Sequence, residues 1–260
     1  MANQYNSIEF IDNNKLGVVK LNRPEKRNAL NAEMIAELTH VFNSLKTNSD
    51  MVLLQLVGKG EAYCAGADIS WLKSLESKSK PEVRSEFLQL ATMLEALYSV
   101  PQIVVSLAHG SVFGGGLGLL VCSDFVISSP YTVYSFSEIK LGLIPASISP
   151  YVVSKIGLQN AKRLFYTGER FDENKALQVG LIDQVAQGNP GNAHYETLME
   201  TLLKQPHSAL KSLKSLLRGL ESGSISATNQ SVGCSLIADL IVNEEAQQLF
   251  SKFLSGKTVS

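Results

Sequence analysis

Four glycines crowd five positions, Gly114, Gly115, Gly116 and Gly118 around Leu117, after the segment His109-Gly110-Ser111-Val112-Phe113. Each glycine costs a helix about 1 kcal/mol relative to alanine. A chain keeps such a cluster where a backbone must approach a ligand or another backbone closely. A second glycine-bearing segment, Tyr63-Cys64-Ala65-Gly66-Ala67-Asp68-Ile69-Ser70, likewise follows an apolar run. A helix start carries unpaired amide N–H groups and the positive end of the helix dipole. Such donors suit a developing oxyanion and contribute about 3 kcal/mol to a transition state. The competing reading is that the glycines serve only close packing of helix on strand.

The runs around these segments predict alternating strands and helices. Ser7–Ile11 and Leu16–Leu21 form a hairpin pattern around Asp12-Asn13-Asn14, a turn-forming cluster. Asn31 stands where a helix cap is expected, ahead of Met34, Ile35, Leu38, Val41, Phe42 and Leu45 at helical spacing. Met51–Val57 and Ile103–Ala108 are continuous apolar runs, the pattern of strands buried on both faces. A helix reaches Tyr98, a buried helix opens at Gly114, and short strands follow at Phe125–Ser128 and Val133–Phe136. The alternation predicts an α/β fold.

A breaker cluster, Asn189-Pro190-Gly191-Asn192, ends this pattern, and no strand signal follows it. The expected division is an α/β core over 1–190 and a helical extension over 191–260, serving packing and oligomerisation. In that extension Ala209, Leu210, Leu213, Leu216, Leu217 and Leu220 mark an apolar helix stripe. Lys211, Lys214 and Arg218 occupy the other face, expected to be solvated, with a contact to ligand phosphates as the rival reading.

Composition narrows the function classes. The 260 residues carry a net charge of −1 and are 45% hydrophobic, which argues against a nucleic-acid or anionic-lipid footprint. The most apolar stretch, Ile103 to Ile127, is interrupted by His109, the glycine cluster and Asp124, so no membrane span is expected. Cys64, Cys122 and Cys234 form no CxxC pair; neither a disulfide framework nor a zinc site is expected, and a reducing, cytoplasmic setting fits. The glycine cluster departs from GxGxxG, and neither GxxxxGK[ST] nor GxSxG occurs. Phosphate-cradle and serine-nucleophile chemistries lose ground accordingly.

Several blocks, in order, resemble the crotonase (enoyl-CoA hydratase/isomerase) superfamily. Leu21-Asn22-Arg23-Pro24 and Asn28-Ala29-Leu30-Asn31 are similar to its N-terminal signature. Cys64 to Ile69 resembles its first oxyanion loop, and Phe113-Gly114-Gly115-Gly116 its second, with Cys122-Ser123-Asp124 closing the helix. Phe136 to Pro145 resembles the segment bearing a family glutamate, while Thr167-Gly168-Glu169 and Ala176 to Ile182 resemble the closing block.

The resemblance implies a spiral of ββα units with a C-terminal helical extension, and a coenzyme A thioester as substrate. It implies backbone N–H donors at Ala67 and Gly115 for the thioester carbonyl and Glu138 as acid/base. Lys26, Arg27 and Ala29 would lie along the CoA moiety, and Ala65, Asp68, Ile69, Ser70, Gly114 and Gly118 along the thioester and acyl group. Lys252 or Lys257 would reach CoA phosphates. No metal or separate cofactor is implied, CoA being part of the substrate. The implied assembly is a homotrimer or a dimer of trimers.

Hydratases of this family place a glutamate three residues after the middle glycine, where this chain has Gly118. Two-carboxylate hydration is therefore in question. The resemblance still implies an enzyme of the enoyl-CoA hydratase type, adding water to or shifting the double bond of an enoyl-CoA thioester. A double-bond isomerase or a decarboxylase, both compatible with Glu138 alone, are the alternatives. Gly118 and the stretch Leu143 to Val152 resemble bacterial methylglutaconyl-CoA hydratases of leucine degradation, which implies room for a branched or carboxylated acyl group. A reading of another class is a catalytically silent acyl-CoA-binding subunit. Against it, a carboxylate in an apolar segment is costly without a task. Beyond these, His109 is expected to cap or pack, Cys64 to be a core thiol, and Asp124 to buttress the end of the glycine helix. Tyr134 and Ser137 are candidates to approach the acyl pocket.

Overall fold

A computed structural model describes residues 5–186, 193–220 and 227–255. The breaker cluster at 189–192 and Lys257 lie outside the described residues. The chain divides into two compact units, Met1–Glu196 and Thr197–Ser260.

The first unit is built on a six-stranded sheet of order β1-β2-β3-β4-β6-β8. Its strands are β1 (Ile8–Asn13), β2 (Leu16–Leu21), β3 (Leu53–Gly58), β4 (Ile103–Ala108), β6 (Phe125–Ser128) and β8 (Gln184–Val185). The hairpin β1–β2 is antiparallel and turns at Asn14, which adopts a positive φ of 62°. Every other pairing in the sheet is parallel. β4 is buried along its whole length, as its unbroken apolar run predicts.

Two further short strands, β5 (Ser111–Phe113) and β7 (Val133–Ser135), pair in parallel in a second layer. Cys64 extends that layer by bridging to Val112. The chain therefore repeats one unit: a strand in the large sheet, a short segment in the small layer, then helix. β3, Cys64 and α2–α3 (Ile69–Ser74 and Lys80–Tyr98) make one turn, and β4, β5 and α4 (Gly115–Val121) the next. β6, β7 and α5 (Ser149–Thr167) follow, and α6 (Glu173–Gln178) leads into β8. This is the α/β spiral of ββα units that the sequence blocks imply.

Helix α1 (Ala32–Leu45) starts where Asn31 accepts the Met34 N–H at 2.9 Å, and it buries all six residues of its apolar face. Fully burying such side chains contributes about 1.5–3 kcal/mol each. Asp124, expected to buttress the end of the glycine helix, bonds into the sheet. Its carboxylate accepts from Val104 N–H at 2.7 Å and ties β4 to the start of β6. Ser123 bonds α4 instead, through the Leu119 carbonyl at 2.9 Å.

The described residues beyond Glu196 are helical: the rest of α7 (Ala193–Lys204), then α8 (His207–Leu220), α9 (Ala227–Ile241) and α10 (Glu244–Leu254). Glu245 of α10 accepts the His207 and Ser208 N–H groups at 3.0 and 3.1 Å and so holds the start of α8. The charged face of α8 is not solvated as expected, while Ala209, Leu210 and Leu216 of its apolar stripe are half-buried. Lys214 is buried and Lys211 and Arg218 are half-buried, whereas Leu213, Leu217 and Leu220 are exposed. Periodicity locates a stripe on a helix; it does not say which stripe faces inward.

Candidate active site

A cavity of about 340 Å³ lies within the first unit, between the two glycine-bearing segments. Ala65, Gly66, Ala67, Ile69, Gly114, Gly115 and Glu138 all line it, together with Leu30. Residues from distant parts of the sequence thus meet at one place.

Local bonding explains how the first segment is held. Leu30 N–H donates to the Gly66 carbonyl at 2.7 Å and Asp68 N–H to the Leu30 carbonyl at 2.8 Å, a parallel bridge with Ala67 opposite Leu30. That pattern uses the Gly66 carbonyl and the Asp68 amide on either side and leaves the Ala67 N–H out of the backbone bonding. Gly66 has φ +98°, and a Cβ there would stand 3.2 Å from the Phe113 carbonyl oxygen, so the two segments touch backbone to backbone.

On the second segment, Gly114 N–H donates to the Ser135 carbonyl at 3.1 Å, while Leu117 and Gly118 N–H return to the Gly114 carbonyl. Gly115, the first residue of α4, makes no backbone N–H bond. Ala67 and Gly115 therefore bring two unconsumed amides to one cavity. Two such donors are what a thioester carbonyl acquiring negative charge requires.

Glu138 sits in a short helical turn, Ser137–Leu141, that closes on Gly142 at φ +71°. Its carbonyl accepts from Leu143 N–H at 3.0 Å, which fixes the backbone beneath the side chain. One carboxylate oxygen, Oε1, lies 3.0 Å from where a Cβ on Gly114 would stand. The other, Oε2, is buried without a hydrogen-bond partner among the described residues. Burial raises its pKa above the ordinary carboxylate value, and a backbone N–H offsets part of that rise. A buried carboxyl with an unused oxygen and a raised pKa is suited to proton transfer.

Other sequence candidates fall elsewhere. Asp68 does not line the cavity. Its carboxylate pairs with Arg23 Nη2 at 2.8 Å and accepts the Ser70 N–H at 2.8 Å, capping α2. Burial works to raise its pKa, but the Arg23 and Ser70 hydrogen bonds and the Arg23 charge outweigh that and hold it low. Arg23 also donates to the Ala29 carbonyl at 2.5 Å, so the pair braces the first loop from behind. Arg27 adopts φ +49°, and its carbonyl accepts the Ala65 N–H at 2.9 Å. Lys26 and Arg27 are exposed and Ala29 is buried, all three outside the acyl cavity, as is Ser70.

Tyr134 does not reach the cavity. It is buried with its hydroxyl on Ser128 Oγ at 2.6 Å, whereas Ser137 does line the cavity. Cys64 is a core thiol whose pKa burial pushes up to about 12, and His109 pairs with the Gly60 carbonyl at 3.2 Å. The space expected beside Gly118 is filled. A Cβ there would meet Ile148 Cγ2 at 2.6 Å and Leu94 Cδ2 at 3.1 Å.

Motif reading missed part of the apolar wall: Trp71, Leu72, Phe87 and Leu90. Their only sequence signal was apolar character in segments that otherwise read as loop or helix surface.

The enoyl-CoA hydratase/isomerase family model matches residues 12–254. The chain belongs to that family. An enoyl-CoA isomerase/hydratase, fer4, of Mycosarcoma maydis is 34% identical over 75% of this chain and 73% of its own length. A crotonyl-CoA hydratase of Syntrophomonas wolfei is 28% identical over 70% of each chain. The crystal structure of an enoyl-CoA hydratase from Shewanella pealeana superposes with TM-score 0.92 at 31% identity, covering 98% of this chain and 95% of that one. This member of the enoyl-CoA hydratase/isomerase family is thus an enzyme of that type. No helix among its described residues is long and apolar enough to cross a membrane.

Proposed function

We propose that the protein shifts the double bond of an enoyl-CoA thioester bearing an apolar acyl group, using Glu138 to move one proton. The observation that carries this reading is that Glu138 is the one ionisable residue among the described residues lining the cavity. The Ala67 and Gly115 N–H groups receive the thioester oxygen. Glu138 takes a proton from the α-carbon of a 3-enoyl thioester, and the electron pair delocalises through the bond to the carbonyl carbon onto that oxygen, giving a dienolate conjugated with the β–γ double bond. The carboxylic acid so formed returns the proton to the γ-carbon, leaving a 2-enoyl thioester and the original carboxylate. Atoms and charge balance with no further reactant, and CoA enters only as part of the substrate.

Water addition asks for more: a water held by several polar partners and a second group to complete the proton transfers. Position 118 supplies none, and its space is taken by Ile148. The second carboxylate of 3-methylglutaconyl-CoA would be buried with no cation along the lining, at a cost of several kcal/mol, about 3 or more. These features favour an apolar acyl group over a carboxylated one. The test is product analysis by NMR with a linear 3-enoyl-CoA and with crotonyl-CoA. The expected result is conversion of the first to its 2-enoyl isomer; a protein that hydrates crotonyl-CoA but leaves the 3-enoyl thioester unchanged sinks the reading.

We also propose that the chain assembles as a homotrimer or a dimer of trimers. The support is the row Leu213, Leu217 and Leu220 exposed on α8, since extended apolar patches on a surface mark association. Light scattering at micromolar concentration should give a multiple of 28.2 kDa.

A further inference from the structure

Ile148 occupies an unusual place. It is the residue that caps α5, it is 2% exposed, and it lines the acyl cavity. Its Cγ2 stands 2.6 Å from the position a Cβ on Gly118 would take, so the two residues share one volume. Gly118 follows the donor Gly115 by three residues on the same helix face, about 4.5 Å further along the axis. That distance is the reach of the first few acyl carbons beyond the thioester. Ile148 therefore fills the space beside Gly118, and Leu94 Cδ2 stands 3.1 Å from the same point.

We propose that Ile148 sets the shape of the acyl group, admitting a linear apolar chain and rejecting a branch at the β-carbon. The inference rests on the acyl-CoA reading above and adds a specificity-determining residue to it. The wall that Ile148 forms is not loose. A leucine and a glycine back it, and the glycine already gives up its side chain to make room. A branched acyl group has to displace a buried isoleucine, whereas a linear one passes beside it. An isoleucine trimmed to alanine returns the volume that a methyl branch needs.

The test is calorimetric binding of two saturated, unreactive thioesters, butanoyl-CoA and 3-methylbutanoyl-CoA, to wild type, Ile148→Val and Ile148→Ala. Wild type should favour the linear ligand by about 10-fold or more, the discrimination a hydrophobic pocket gives for one carbon. Ile148→Ala should erase or invert that preference, with Ile148→Val between. A purely structural role lowers both affinities together and leaves the ratio fixed, which overturns the proposal. Equal wild-type affinities overturn it too. If Ile148→Ala does not fold, the ratio measured with Ile148→Val decides. Neither ligand has a double bond to move, so failure of isomerisation by Glu138 leaves this result standing. Absence of binding by both ligands defeats the acyl-CoA reading and the inference together.

Discussion

Helices α1 and α8 carry the same apolar spacing, but α1 buries its whole stripe whereas α8 leaves half of its stripe exposed. In α1, Met34, Ile35, Leu38, Val41, Phe42 and Leu45 are all buried against the core of the first unit. In α8, Leu217 is 54% exposed and Leu213 51%, while Lys214 is 6% exposed. Water disfavours apolar area wherever it is, and α8 leaves more of it exposed than α1 does. The first unit is a finished core around a cavity. The second presents an apolar row of the kind that a neighbouring subunit covers. Substitutions in the first unit should therefore report on stability and chemistry, and those on the exposed row of the second on the proposed association.

The largest effect is expected at the centre of the finished unit. Glu138→Gln keeps shape and removes the proton acceptor, so kcat for double-bond transfer should fall about 10²- to 10⁴-fold. Binding of the CoA thioester should change little, because backbone amides hold the carbonyl. The pH dependence has a definite sign. Burial raises the Glu138 pKa, so the basic form, and activity, should increase as pH rises through that raised value. Stability runs the other way. Folding binds the Glu138 proton more tightly than the unfolded chain does. The resulting stabilisation is full below the unfolded pKa and is lost as pH rises through the folded one. At pH 8, Glu138→Gln should therefore be more stable than wild type, by about 0.5–2 kcal/mol in chemical denaturation. A variant that retains wild-type kcat removes Glu138 from the chemistry, whatever its stability.

A smaller loss is expected where the backbone itself is the catalyst. A Cβ at Gly115 would stand 2.8 Å from Leu30 Cδ1. Gly115→Val must displace Leu30, the residue bridged to Ala67, and misplace one amide donor. Loss of one such donor costs about 100-fold in kcat, with circular dichroism still reporting the α/β core. Unchanged kinetics in a folded Gly115→Val protein would reduce the glycine cluster to a packing device, the competing reading its sequence allowed.

How much of this was legible in the sequence follows from which forces act locally. The alternation of strand and helix, the Asn31 cap and the fully buried β4 were legible because burial on both faces and capping leave a mark within a few residues. Ala67, Gly115 and Glu138 were legible as family blocks, and the structure brings them to one cavity. The role of Asp68 was not: it was expected along the thioester, but Arg23, 45 residues earlier, draws its carboxylate away. Gly118 misled for a related reason. A missing side chain reads as free space, yet the space belongs to Ile148, 30 residues later, and only the tertiary fold shows who fills it. The half-exposed stripe of α8 is the same lesson on a surface, since its spacing is clear and its neighbours are not encoded nearby.

The smallest effect on turnover is expected in the second unit, and it separates the two regions most directly. Leu213→Glu with Leu217→Glu places two charges on the exposed face of α8. Both positions are already about half exposed, so within one chain the substitutions should cost little, about 0.5 kcal/mol. If a neighbouring copy covers this row, the same charges must be desolvated or the contact broken. Light scattering should then shift from a multiple of the chain mass toward 28.2 kDa, with the circular dichroism spectrum retained. The acyl cavity is lined wholly by residues of the first unit, so kcat should stay within about threefold of wild type. An assembly unmoved by both charges would assign the row on α8 to no interface and leave the contrast with α1 unexplained. An assembly that falls apart while kcat collapses would mean that the cavity, finished as it looks in one chain, works only when a second copy is present.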